Sequence, residues 1–279
     1  MTEAAVPAYD RAAELGRRDA VLPPPGESDA ILETRGLSVA YGGHEVLSGI
    51  FCHFPPTTVT AIMGPSGCGK STLVKALNRT LELTPGARVS AGEVWFRGAS
   101  LYAPGIDPKS MRKRIGIIHQ KPITFPMSIV ENVLFGARFH GTLNGMKPRD
   151  YAALYLDRVG LLDEVKDRLD APGHKLSGGQ QQRLCLARTL ANQPEVILMD
   201  EPCSAIDPAA TQRIEELILK LKADYTIVIV THNIGQAKRV SDQAIFMFGG
   251  QVIEAGASDR LFREPRTQLA QRFISGAIG

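Results

Sequence analysis

Three things are scarce in this sequence: long apolar runs, cysteine and net charge. No stretch approaches the ~18–20 consecutive apolar residues that a membrane-spanning helix needs. The formal net charge of the 279 residues is only +3, so electrostatics gives no reason to expect a nucleic-acid partner. Any role at a membrane is therefore expected to depend on partner proteins, and we expect no nucleic acid among the partners.

The cysteines form neither of the patterns that cysteine clusters usually indicate. They lack CxxC spacing and have no paired histidines nearby, which argues against a zinc site and against a disulfide framework. We therefore predict free thiols in a reducing cytosol. The four residues are Cys52, Cys68, Cys185 and Cys203.

Residues 1–28 are rich in alanine, proline and charge and show no sustained periodicity. They are predicted to be a flexible N-terminal extension. Arg17-Arg18 could open an export signal, but Asp19 and the prolines Pro23–Pro25 follow it instead of an apolar segment. We therefore predict that the chain is not exported.

From Ala30 onward, strand-like runs alternate with helical patterns. Residues 31–34 and 37–41 predict two short strands, and the apolar runs 196–199 and 226–230 predict buried ones. Strands this apolar, separated by helices, indicate a parallel sheet covered on both faces. The fold class is therefore α/β. The segment from about 122 to 175 is predicted to be mostly helical, and residues 244–255 to form a terminal hairpin.

Residues 64–72 match the phosphate-binding pattern G-x-x-x-x-G-K-[ST], and they lie between a predicted strand and a predicted helix. The glycines allow successive backbone N–H groups to turn towards phosphate oxygens, and the helix N-terminus adds a favourable dipole. Lys70 supplies a positive charge for the β- and γ-phosphates, and the Ser71 hydroxyl can bind Mg²⁺. The predicted nucleotide-binding residues are Gly64, Pro65, Ser66, Gly67, Cys68, Gly69, Lys70, Ser71 and Thr72.

A pair of carboxylates follows the buried run Val196–Met199. Ligands of open α/β sheets bind at the carboxyl ends of the strands, where this pair is expected to lie. Asp200 is predicted to hold Mg²⁺ through its water shell. Glu201 is predicted to polarise the attacking water.

The run Leu-Ser-Gly-Gly-Gln at residues 176–180 precedes a helix that is predicted to begin near Gln181. Small residues expose backbone N–H groups and Ser177 offers a hydroxyl, so this is a second anion-binding helix start. Because one nucleotide needs only one such cradle, two cradles in one chain suggest a shared site. The residues concerned are Ser177, Gly178, Gly179 and Gln180.

Together these motifs resemble those of the ATP-binding subunits of ABC transporters, whose signature sequence is Leu-Ser-Gly-Gly-Gln. The resemblance runs from about Ala30 to the C-terminus. It implies a P-loop NTPase domain over residues 29–279, with a RecA-like parallel-sheet core, an antiparallel β subdomain and an inserted helical subdomain. It also implies ATP and Mg²⁺ as cofactors, and a homodimer in which each ATP lies between the phosphate loop of one copy and the signature of the other.

The same resemblance assigns roles that the local sequence leaves open. It implies that Tyr41 stacks on adenine, that Gln120 senses Mg²⁺ and the transporter, and that His232 contacts the γ-phosphate. Residues 204–207, Ser-Ala-Ile-Asp, are similar to the family's D-loop. The implied catalytic residues are Lys70, Gln120, Glu201 and His232, and the implied metal site comprises Ser71, Gln120 and Asp200.

Several further segments resemble the ATP-binding subunits of bacterial phosphate importers. These are residues 78–79, 85–89, 125–129, 231–233, 239–242 and 274–279. The likeness implies phosphate uptake, two membrane-spanning permease subunits, an extracytoplasmic solute-binding protein that acts indirectly, and a place at the cytoplasmic face of the cell membrane. Residues 119–124 depart from that pattern, so another oxyanion or solute remains an alternative.

Three other functions remain as alternatives to a phosphate importer. An ABC exporter or a different importer motor would carry the same general motifs. Soluble ABC ATPases that remodel nucleic acid or ribosomes usually have tandem cassettes, coiled-coil insertions or zinc cysteines, which this chain lacks. A P-loop kinase would have no use for the signature at residues 176–180.

Overall fold

The computed structural model describes residues 29–204 and 206–278. The predicted extension over residues 1–28 and Ala205 of the predicted D-loop lie outside the described residues. Two β-sheets and a set of helices make up the described part.

A largely parallel sheet with the strand order β10-β9-β3-β8-β7-β6 forms the centre of the fold. Its strands β3 and β8 are buried at every position, which explains why their sequences are apolar without alternation. β10 pairs antiparallel with β9 across the Gly249-Gly250 turn, so the predicted terminal hairpin is confirmed. The strands are β3 Val59–Met63, β6 Ile115–Ile118, β7 Val196–Asp200, β8 Thr226–Val230, β9 Gln243–Phe248 and β10 Gln251–Ala257.

A second, antiparallel sheet has the strand order β2-β1-β4-β5. The prediction of two short strands at residues 31–34 and 37–41 is wrong, because both belong to the single strand β1. A register shift between Thr34 and Leu37 against β2 marks a bulge, and this bulge interrupts the alternation that the sequence pattern depends on. The strands are β1 Leu32–Tyr41, β2 His44–Phe54, β4 Ala87–Phe96 and β5 Ala99–Ser100.

Helices cover the central sheet and fill the segment between β6 and β7. Within residues 29–204 and 206–278, every helix falls short of the length and apolar character needed to cross a membrane. The helices are α1 Lys70–Leu77, α2 Pro108–Arg114, α3 Ile129–His140, α4 Pro148–Arg158, α5 Leu162–Val165, α6 Gly178–Leu190, α7 Pro208–Leu221, α8 Ile234–Val240, α9 Ser258–Arg263 and α10 Gln268–Ile274, with short 3₁₀ turns at Leu81–Leu83, Lys166–Arg168 and Gly173–Lys175.

The apolar core lies on both faces of the central sheet. On β3, Ala61 and Met63 pack into one cluster with helices α3, α4, α6 and α7, whereas Ile62 faces the other cluster. That second cluster includes the buried residues of α1 and of the antiparallel sheet. The two-layer cover holds the parallel strands rigidly, so the loops at their carboxyl ends have fixed starting points.

Candidate functional site

Four neighbouring strands of the central sheet end at the same edge. β3 leads into Gly64, β8 into His232, β7 into Asp200 and Glu201, and β6 into Gln120. The strands are adjacent in the order β3-β8-β7-β6 and parallel to one another. The sheet therefore brings together residues that are up to 168 positions apart in the sequence (from Gly64 to His232).

The phosphate loop is fixed tightly where it leaves β3. Gly64 has φ +151°, and a Cβ atom there would overlap the carbonyl oxygen of Met247 on β9. Gly69 caps α1 with φ 101°, in the left-handed region that glycine adopts readily. Ser66 and Gly67 at the loop tip are exposed, whereas Cys68 is buried. Burial raises the pKa of the Cys68 thiol and keeps it neutral at neutral pH.

Lys70 lies at the centre of this loop, and only 6% of its surface is exposed. Its ammonium donates hydrogen bonds to the carbonyl oxygens of Gly64 at 2.7 Å and of Pro65 at 2.9 Å. The positive charge is thus held inside the ring of backbone that the motif predicts for phosphate. The ammonium also lies 3.9 Å from Cys68 Sγ. All three partners are uncharged, so an incoming phosphate oxygen would replace neutral contacts with a charge-assisted one.

Ser71 and Asp200 meet across the sheet edge. The Ser71 hydroxyl donates to Asp200 Oδ1 at 3.1 Å, although the residues are 129 positions apart. Burial raises the pKa of the Asp200 carboxyl, as does neighbouring Glu201, while the Ser71 hydrogen bond opposes the shift. A hydroxyl beside a carboxylate is a pair of hard oxygen ligands, and Mg²⁺ characteristically takes one or two such protein ligands together with substrate phosphates and water. The residues present therefore fit the predicted ion.

Residues that follow three neighbouring strands, β6, β7 and β8, contact one another at Glu201. Its Oε2 atom accepts a hydrogen bond from Gln120 Nε2 at 3.1 Å and lies 3.2 Å from His232 Nδ1. The backbone of Glu201 has φ +48°, a strained conformation for a residue with a side chain, and its N–H donates to Val230 on β8 at 2.9 Å. Strain of this kind persists only where the surroundings fix it, so the position of the carboxylate is closely determined.

Tyr41 ends β1 beside the phosphate loop. Its hydroxyl lies 3.4 Å from the Thr72 hydroxyl on α1. The contact brings the end of the antiparallel sheet to the first turn of the helix that follows the loop. The structure thus places the aromatic ring beside the predicted nucleotide site.

The signature forms the first turn of α6. The prediction that this helix begins near Gln181 is wrong, because it begins at Gly178 with Ser177 as its N-cap. Ser177 Oγ accepts from the Gln180 N–H while the Gln180 side chain accepts from the Ser177 N–H, a reciprocal capping box that extends the helix over both glycines. Among the described residues, no hydrogen bond connects this turn to the phosphate loop.

Three of the four residues that resemble the D-loop, Ser204, Ile206 and Asp207, lie in the described part of the chain. Ser204 Oγ donates to the carbonyl of Glu201 at 3.1 Å, and Asp207 caps α7 by accepting from the Ala210 N–H at 2.9 Å. Ser204 therefore ties one end of this segment to Glu201, and Asp207 ties the other end to the start of α7.

One residue that contacts the signature was missed by the sequence analysis. Glu164 on α5 accepts a hydrogen bond from Gln180 Nε2 at 2.8 Å. A glutamate on a short polar helix has the ordinary pattern of a solvated surface, and no motif links it to residues 16 positions later. The contact becomes visible only in the folded structure, where the Gln180 and Arg183 side chains reach Glu164.

Comparison with known proteins decides the family. A family model described as ABC transporter matches residues 47–204, more than half of the chain. The chain belongs to the ABC transporter family. The ABC match confirms the predicted fold class and the predicted activity as an ATPase that binds ATP.

Two relatives within this ABC family are similar over nearly their whole length. The chain is 45% identical over 263 residues to the phosphate import ATP-binding protein PstB of Synechococcus sp. (strain CC9605), covering 90% of this chain and 95% of that protein. It is 46% identical over 251 residues to PstB of Thermotoga maritima, covering 90% of this chain and 100% of that protein.

Two solved ABC structures share the fold. The chain matches cbiO1 from Clostridium perfringens, part of the ABC transporter complex cbiONQ, with a TM-score of 0.72, 31% identity, and coverage of 85% of this chain and 92% of that one. It also matches a bacterial Atm1-family ABC exporter with ATP bound, with a TM-score of 0.74 and coverage of 93% of this chain and 44% of that one. At 23% identity the second likeness concerns the fold alone.

Proposed function

We propose that the chain is the ATP-hydrolysing subunit of a phosphate importer and works as a homodimer on the cytoplasmic face of the cell membrane. The observation that carries this proposal is the likeness to two phosphate import ATP-binding proteins over nearly the whole length of both. The gathering of Lys70, Asp200, Glu201 and His232 at one sheet edge supports the catalytic part of it.

Each residue has a role that follows from its position. Lys70 would exchange its carbonyl partners for the β- and γ-phosphates, and the N–H groups of the phosphate loop (residues 64–72) would surround those phosphates. Ser71 and Asp200 would hold Mg²⁺, with Gln120 near the same edge, and the ion would neutralise charge on the phosphates. Tyr41 would stack on the adenine ring.

Glu201 is placed to act on the attacking water. Its carboxylate would orient the water and accept its proton, while Gln120 and His232 both contact its Oε2 atom. His232 is 61% exposed, and its imidazole would contact the γ-phosphate of an ATP bound beside Glu201. The signature of the second copy (residues 176–180) would close that space.

An apolar patch supports docking to a membrane partner. Phe135 and Phe139 lie one turn apart on α3 and are 54% and 74% exposed, and Ile123 is 55% exposed. Phe125 joins them, since its ring lies 4.7 Å from Phe135 and Arg188 packs over it while donating to the Ile123 carbonyl. Exposed aromatic groups of this kind mark interaction sites. The patch begins three residues after Gln120, so a partner there could sense the state of the site.

The test of the proposal is recovery of the membrane partner. The tagged chain is purified from detergent-solubilised membranes of its host, the partners are identified by mass spectrometry, and uptake of radiolabelled phosphate is measured with and without the gene. We expect a phosphate permease and a loss of phosphate uptake. A permease for another solute, an exporter, or ribosomal partners would refute phosphate import.

Matched variants separate docking from catalysis. Phe139→Ser should release the membrane partner and leave ATP hydrolysis by the isolated chain unchanged. Leu83→Ser removes an apolar side chain that is 66% exposed on a distant 3₁₀ turn and should retain the partner. If Phe139→Ser copurifies with as much permease as Leu83→Ser, the patch is not the docking surface.

The homodimer has its own test. If each site is shared between copies, turnover per mole of chain must fall on dilution, because the sites are lost when the dimer dissociates. A rate that stays strictly proportional to protein concentration down to isolated monomers would contradict shared sites.

A further inference from the structure

Glu164 and the Ser177 N–H both select the same orientation of the signature glutamine. Gln180 Nε2 donates to Glu164 Oε2 at 2.8 Å, while Gln180 Oε1 accepts from the Ser177 N–H at 3.0 Å. An ionised carboxylate can only accept hydrogen bonds, so it requires the NH₂ end of the amide. The amide oxygen is then left facing the Ser177 N–H. Without Glu164, the NH₂ end of the amide loses its acceptor, and only the Ser177 N–H holds the Gln180 side chain in the capping box.

The same carboxylate also contacts side chains of two neighbouring helices. Arg183 on α6 is bound to Glu164 Oε1 at 2.9 Å and donates to the Gly160 carbonyl, after α4, at 2.6 Å. Arg213 on α7, the helix that follows the D-loop, lies 3.4 Å from Glu164 Oε1. The side chain of Arg183 is only 7% exposed, so its charge relies on this partner.

The neighbouring acidic residue provides a contrast on the same short helix. Asp163 is 91% exposed and forms an ordinary surface pair with Lys166 at 3.3 Å. Glu164 is 31% exposed and accepts from side chains of two other helices, α6 and α7. Two adjacent carboxylates thus have different surroundings, and of the two it is Glu164 that contacts the signature.

We propose that Glu164 is a positioning residue for ATP hydrolysis: it holds the first turn of α6 in the geometry that presents Ser177 and its neighbouring N–H groups to the ATP of the second copy, and it joins that turn to α7. This inference rests on the shared site proposed above. Glu164 touches no substrate, and it acts through Gln180.

The experiment compares Glu164→Ala with Asp163→Ala in the full-length chain. The measurements are steady-state ATP hydrolysis, ADP affinity of the chain at dilutions that keep it monomeric, and Tm. A small displacement of a positioned group costs up to about 100-fold in rate, and we expect kcat to fall about tenfold in Glu164→Ala. ADP affinity should stay within about twofold, because the phosphate loop (residues 64–72) is not touched. Asp163→Ala should match the unmodified chain in all three measurements.

A conservative variant and a double variant identify the route of the effect. Glu164→Gln can still accept from Gln180 but no longer dictates the orientation of that amide, so its kcat should fall between those of Glu164→Ala and the unmodified chain. In a Gln180→Ala background, adding Glu164→Ala should reduce kcat by about threefold or less, because interacting residues are not additive. Full additivity would overturn the proposal.

Two further results would also overturn it. A kcat for Glu164→Ala within about twofold of the unmodified chain would remove any positioning role. A parallel loss of ADP affinity would mean that the residue merely supports the fold.

Ser177→Arg distinguishes this inference from the proposed function. If Ser177→Arg is inactive while Glu164→Ala is fully active, only the positioning role fails. If Ser177→Arg is itself fully active, the shared site fails.

Discussion

Lys70 and Ser177 stand at the starts of α1 and α6, two helix starts with the same predicted task and opposite surroundings. Lys70 is buried, and its loop is held between β3, β9 and α1. Ser177 and Gly178 are exposed, and the Ser177 hydroxyl contacts Gln180, whose side chain in turn contacts Glu164. One cradle is complete within its own chain, whereas the other presents N–H groups to the outside. An ATP site shared between two copies requires this arrangement, with one cradle complete in its own chain and the other facing outward.

The largest expected effect is at the buried cradle. Gly64→Ala should abolish nucleotide binding and lower the free energy of unfolding by about 2–4 kcal/mol, because the new methyl group overlaps the Met247 carbonyl at a φ that alanine avoids. Isothermal titration with ADP and chemical denaturation measure the two quantities. Gly98→Ala is the control. Its φ is +74° but no atom lies within 4 Å of the new Cβ, so it should cost about 1 kcal/mol and leave ADP affinity unchanged. Equal effects of the two variants would contradict the tight fit.

The second-largest effect is expected from a substitution at Glu201, the predicted general base. Glu201→Gln should leave ATP affinity intact and lower turnover by about 10²–10⁴-fold, the usual contribution of one general base. The amide keeps an oxygen that can accept from Gln120, so the variant retains the shape of the site. Single-turnover hydrolysis at saturating ATP gives the rate. Turnover equal to that of the unmodified chain would remove Glu201 from its role.

A smaller effect tests the exposed cradle against another helix start that has a serine N-cap. Ser177 caps α6 and Ser128 caps α3 by the same serine contact, at 3.4 Å and 3.2 Å. Replacing either with alanine should cost about 1 kcal/mol of stability. Only Ser177→Ala should also reduce turnover, by about tenfold, because the proposed hydrogen bond from its hydroxyl to the charged phosphate of the second copy's ATP is lost. Equal turnover of the two variants would mean that Ser177 is a cap and nothing more.

The sequence predicts the buried cradle better than the exposed one, for physical reasons. The phosphate loop (residues 64–72) is a local device whose spacing dictates its geometry, and the strand-end position of Asp200 follows from a single apolar run. The contact between Ser71 and Asp200 depends on the order of the strands, which the chain's periodicity does not encode. The sequence does not reveal Glu164, because its contacts come from side chains of α6 and α7 that lie far from it in the chain. The bulge in β1 and the start of α6 at Gly178 depend on backbone pairing and capping that periodicity does not record.

The smallest effect is a pair of opposite pH dependences. Burial raises the pKa of Asp200. Burial would also raise the pKa of Glu164, but hydrogen bonds from Gln180 and Arg183 outweigh it and lower that pKa. A raised folded-state pKa means that the ionised carboxylate destabilises the fold at neutral pH, and that this penalty disappears as the pH falls. A lowered pKa means that the ionised carboxylate contributes stability above its unfolded pKa, which is lost as the pH falls through the folded value.

Tm measured from pH 7 down to pH 3, without nucleotide or Mg²⁺, therefore separates the two regions. Asp200→Asn should melt above the unmodified chain at pH 7, and Glu164→Gln below it, with both differences shrinking as the pH falls. Mg²⁺ with ATP should then raise the Tm of the unmodified chain and leave that of Asp200→Asn nearly unchanged, because ligand binding stabilises only a fold that can hold it. Shifts of the same sign in the two variants would mean that both carboxylates have the same kind of surroundings. In that case the contrast between a self-contained cradle and one built for a second copy would lose its electrostatic support.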